Sequence, residues 1–97
     1  MRSIRALLIA LTLAIAAQAA QTVHGHIACE RERWLRDTIR FGAENNQEAL
    51  KNYLRMERCY VLQGGIPVQI REETSDGLIQ FFVQGTTLWV VQEGIRR

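Results

Sequence analysis

The chain has 97 residues, 12 Lys+Arg against 10 Asp+Glu, and is 47% hydrophobic, which fits one small domain and excludes a multidomain enzyme. Its basic residues alternate with acidic ones instead of forming the cationic block that displaces counterions from phosphates, so nucleic acid is excluded as a partner.

Arg2 and Arg5 open the chain, residues 6–17 are apolar apart from Thr12, and Ala17-Gln18-Ala19 places small residues at the −3 and −1 positions of a signal-peptidase site. Residues 1–19 are therefore expected to be a cleaved secretory signal, leaving 20–97 as one mature domain, periplasmic or secreted. The apolar core is shorter than the ~20 residues of a spanning helix. No second stretch approaches that length, and no Cys stands at the cleavage point to carry a lipid, so no membrane contact is expected after cleavage. Loss of Arg2 and Arg5 leaves 10 basic and 10 acidic residues and a mature chain of zero net charge.

A short polar lead, 21–28, contains His24-Gly25-His26. A helical part, 28–58, follows. Its first segment, 30–41, carries Trp34, Leu35, Thr38 and Ile39 at helical spacing, with Glu32/Arg36 and Arg33/Asp37 as i,i+4 pairs. After Phe41-Gly42-Ala43 the second segment begins at Asn45 with Glu48 three residues on, a capping-box arrangement, and continues with Ala49, Leu50, Tyr53 and Leu54 as its apolar stripe. Cys29 and Cys59 bracket this part, and an even pair of cysteines in an exported domain is most simply one disulfide. A reactive or metal-bound thiolate has no CxxC spacing or neighbouring His motif to support it.

From Cys59 onward, 59–97 reads as short strands separated by glycine turns. They are expected at 59–62, 66–72, 78–84 and 86–91. Ile66, Val68 and Ile70 share one face of the second, and Ile79, Phe81 and Val83 share one face of the third. Asp76-Gly77 is a type I′ hairpin signal, and Gly85 permits a second tight turn.

Residues 59–71 (Cys-Tyr-Val-Leu-Gln-Gly-Gly-Ile-Pro-Val-Gln-Ile-Arg), then 78–83, then Gly85 with Leu88-Trp89-Val90 and Ile95, resemble the bacterial SH3-like domains of exported proteins. The whole layout is also similar to that of small periplasmic proteins of proteobacteria. The resemblance implies an α+β domain with an N-terminal helical hairpin followed by a small SH3-like antiparallel β-barrel and one disulfide. Because the chain stops just after Ile95, the last barrel strand would be absent or supplied by the segment before Cys29, and an open edge would invite a partner strand.

Catalysis needs a base placed beside a nucleophile or a paired carboxylate set, and the only histidines lie in the polar lead, so no catalytic residue is expected. His24 and His26 could both face one ion, but two ligands do not make a zinc site, and neither metal nor cofactor is expected. The aromatic residues are the binding candidates. Trp34, Phe41, Tyr53 and Phe81 read as core; Phe82, Tyr60 and Trp89 are either core or an exposed ligand patch, with Phe82 at its centre and Gln80, Gln84 and Arg71 as polar rim. These features point to a noncatalytic binding or accessory module recognising an envelope protein segment or cell-wall peptide. The alternatives are an inhibitor or immunity-type protein presenting loop 63–67 or 74–77 to a secreted hydrolase, and a metal or redox protein using the histidines and cysteines.

Overall fold

The computed structural model describes residues 20–97; the secretory signal expected at 1–19 lies outside the described residues. Strands β1 (Gln21–Thr22) and β2 (Ile27–Cys29) come first, then helices α1 (Glu32–Ala43) and α2 (Gln47–Arg55). Strands β3 (Cys59–Val61), β4 (Gln69–Glu73), β5 (Leu78–Val83) and β6 (Thr86–Val91) follow, and a 3-10 turn at Gln92–Gly94 leads into β7 (Ile95–Arg96).

This order corrects the expected N-terminal helical hairpin and SH3-like barrel. The helices follow two strands instead of opening the domain, and the sheet does not close. It is a five-stranded open sheet, β3-β2-β6-β5-β4, antiparallel at every step, with β1 and β7 paired as a separate two-stranded ribbon. The lead is the cause. Gly25, at φ 91, turns β1 into β2, and β2 then pairs with β3 on one side and β6 on the other, so a segment that reads as a polar leader supplies an interior strand. Cys29 stands directly opposite Cys59 in this register and is bonded to it, which ties off the helical insertion at its base.

In α1, Glu32 lies in the first turn and Arg40 in the last, each favourable to the helix dipole. Leu35, Thr38 and Phe41 face inward, while Ile39, expected on the apolar stripe, is exposed. The Glu32–Arg36 pair forms at 2.8 Å, but Asp37 takes Arg40 and the Tyr53 hydroxyl of α2 in place of Arg33. The α2 cap falls one residue later than the capping box suggests: Ala49 N–H donates to Asn46 Oδ1, and Asn45 takes a left-handed φ of 54. The turns also differ. Asp76-Gly77 belongs to a three-residue connection closed by hydrogen bonds between Thr74 and Leu78, whereas the two-residue turn with both φ positive is Gln84-Gly85.

The sheet carries a core on each face. On the helix side Leu35 packs with Cys29, Cys59, Leu78 and Trp89. On the other, Ile79, Phe81 and Val83 of β5 and Leu88 and Val90 of β6 pack with Leu62, Val68 and Ile95, beneath the β1–β7 ribbon and segment 62–68.

Candidate functional site

The four binding candidates do not form one patch. Trp89 is only 7% exposed and lies against the disulfide in the helix-side core, so it is not part of any surface. Phe82 shares that sheet face but belongs to neither core; it is half-buried, with the Arg71 guanidinium 4.9 Å from its ring centroid. Tyr60 faces the opposite side, because the β2–β3 register sets it across from Ala28, a member of the other core. Gln80 is half-buried opposite Trp89, and Gln84 sits in the β5–β6 turn.

What gathers around Tyr60 is a concavity of about 520 Å³ on the sheet face away from α1 and α2. Its apolar lining comes from Val83 and Leu88, which alternation in β5 and β6 sends to this side, from Leu62 and Ile66 of the segment after β3, and from Val61 at its edge. Its polar lining comes from Thr22, Glu30, Tyr60, Gln63, Gln84 and Thr86. Tyr60 Oη donates to Glu30 Oε2 at 2.7 Å, and this bond to a carboxylate pushes the phenol above its ordinary pKa.

One wall is segment 62–68, and buried Thr22 fixes it. Thr22 Oγ1 donates to the Gln63 carbonyl at 2.6 Å and accepts from Ile66 N–H at 3.0 Å, while its backbone accepts from Gly65 N–H and donates to the Ile66 carbonyl. Gly64 packs so tightly on the β1–β2 turn that an added Cβ would lie 3.1 Å from His24 N. Thr22→Val keeps the shape and removes the hydroxyl, so it should cost about 1–3 kcal/mol through the two unpaired backbone groups and speed hydrogen exchange at Ile66. Unchanged melting and exchange would show that the hydroxyl does not hold the wall.

Nothing in the sequence singles out Thr22, Glu30 or Thr86. The concavity joins positions from β1, the segment after β2, β3 and the β5–β6 hairpin, and the only local hint was the Ile66-Val68-Ile70 alternation after Gly64-Gly65.

A second concavity, of about 430 Å³, lies between α1 and the β4–β5 connection. Arg36 crosses it to Asp76 at 2.7 Å, which raises the arginine's pKa and holds the Asp76 carboxyl well below the usual carboxylate range. Arg36 and Asp76 answer each other, and Arg40 beside them is held by Asp37, leaving less for a ligand to satisfy. Arg31 and Arg58 lie 4.9 and 5.1 Å from the Trp34 ring centroid, a packing arrangement at the ends of the helical insertion. His24 and His26 flank Gly25 in the β1–β2 turn region, and among the described residues no group of three His, Cys, Asp or Glu side chains could hold a metal ion. Among those residues, too, no helix is long and apolar enough to cross a membrane. No known protein family, curated protein or solved structure matches this chain.

Proposed function

We propose that this chain is an exported, noncatalytic binding module that recognises a protein segment or a cell-wall component through the concavity beside Tyr60. The observation that carries the reading is the concavity's make-up: five apolar residues set among six polar ones that can fix a ligand's orientation, in the size range of ligand sites, on a sheet face that neither α1 nor α2 covers. Export is supported by the leader-like composition of 1–19 and by the Cys29–Cys59 disulfide, a bond that persists in oxidising compartments.

Inhibition of a secreted hydrolase is the second reading, and the pinned 62–68 wall favours it, since a loop already held in its bound shape loses little entropy on entering an active site.

Thr86 lies at the mouth of the concavity, exposed and opposite Val83. Thr86→Trp should fill the mouth with a strand-compatible side chain and leave folding intact. In a crosslinked pull-down from native periplasm, the wild type should retain a protein or cell-wall fragment that Thr86→Trp loses, with both proteins melting within about 3 °C of each other. One hydrolase held stoichiometrically would select the inhibitor reading. Equal retention by both proteins, or retention by neither, would sink the concavity as the site.

A further inference from the structure

The two edges of the five-stranded sheet are built differently. β4 is defended: it carries Arg71, Glu72 and Glu73, its pairing with β5 is irregular between Ile70 and Glu72, and Arg97 pairs with Glu73 across its end. β3 has none of these devices. Of the four exposed large hydrophobics among the described residues, Tyr60 (37%) and Val61 (54%) are on β3, and Met56 (57%) caps α2 just before it; only Ile39 is elsewhere.

The backbone of β3 is also half used. Glu30 N–H donates to the Arg58 carbonyl and Leu62 N–H to the His26 carbonyl, so Arg58, Tyr60 and Leu62 turn their hydrogen-bonding groups toward β2. By the alternation of an antiparallel ladder, the N–H and C=O of Cys59 and Val61 then face away from the sheet. Among the described residues none of these groups has a hydrogen-bond partner.

We infer that β3 is the interface for a second copy of this chain. An antiparallel β3 from that copy fits about a twofold axis through Tyr60: Cys59 N–H donates to the Val61 carbonyl of the second copy, Val61 N–H to its Cys59 carbonyl, and the reciprocal bonds complete the set. The register is self-complementary, which is the requirement for a closed symmetric pair. Val61 then lies over the small, buried Cys59 of the second copy, and the two Tyr60 rings meet at the axis. Balanced charge, 10 basic and 10 acidic residues in 20–97, sets no net repulsion against the pairing. Two five-stranded sheets become one, and since Tyr60 and Val61 line the edge of the concavity, the two concavities stand on the same face to either side of the axis.

The test uses protein exported from the full-length chain and purified without ligand, so its outcome does not depend on what the concavity binds. Sedimentation velocity from about 1 to about 500 μM should show wild type passing from monomer to twice the mass, with Val61→Lys weakening dimerisation about tenfold or more. Ile39→Lys, which alters the exposed apolar residue away from the edge, should leave it unchanged. Oxidative tyrosine coupling should yield a covalent dimer that Tyr60→Phe abolishes, because only Tyr60 lies on the axis. A chain monomeric throughout, a dimer that Val61→Lys leaves intact, or a monomer that instead takes up an unrelated protein on β3 overturns the inference.

Discussion

Reduction of the Cys29–Cys59 disulfide is expected to lower the melting temperature by roughly 15–25 °C. The bond closes a loop with a sequence separation of 30, for which the chain-entropy model gives roughly 3–4 kcal/mol. In a domain of this size each kcal/mol moves the midpoint by about 4–8 °C. Both cysteines are fully buried, pack with Leu35, Leu78 and Trp89, and join adjacent strands at the point where the chain leaves and re-enters the sheet. The bond therefore restrains the unfolded chain and holds α1 and α2 against the sheet at their common base. Calorimetry with and without reductant, and the Cys29→Ser/Cys59→Ser double variant, measure it; oxidised and reduced proteins that melt together would remove the structural role. Hydrogen exchange should rise first at α1 and α2 and last at β5 and β6, most of whose buried side chains lie in the core on the sheet face away from the disulfide.

The same boundary explains what could be read from the sequence. α1, α2, β5 and β6 came from local signals: helical spacing around Leu35 and Thr38, and short β-prone runs on either side of Gly85. The disulfide came from compartment logic. β1 and β2 gave no such signal, because two- and three-residue strands are too short for a period, and their partners Ile95–Arg96 and Cys59–Val61 lie tens of residues away. Without them the sheet's order was hidden, and the resemblance of 59–97 to SH3-like domains implied a small barrel in place of an open sheet. The concavity was hidden for the same reason, since Thr22, Tyr60 and Thr86 meet only once β1 and β3 have docked.

Trp89 and Phe82 looked alike in sequence, each an aromatic residue in an apolar strand, and their substitutions should separate by several kcal/mol. A core lies on each face of β6, so both faces are covered: Leu88 and Val90 on one side, Trp89 on the other beneath α1. Alternation cannot show which face is wet when neither is. Trp89→Ala should cost about 3–5 kcal/mol as a buried truncation against a disulfide that cannot relax into the space. Phe82 shares the Trp89 face two residues toward the β5–β6 hairpin, outside both cores, and its main specific contact is an exposed guanidinium. Phe82→Ala should cost about 1 kcal/mol, and a double-mutant cycle with Arg71→Ala should return a coupling of roughly 0.5–1 kcal/mol, the value of a cation–π pair open to solvent. Chemical denaturation of the wild type, the three single variants and the Phe82→Ala/Arg71→Ala double variant decides it. A Phe82 cost equal to that of Trp89 would mean that the helix-side core extends across β5 to its far end, and a coupling near zero would mean that Arg71 rests on the ring without holding it.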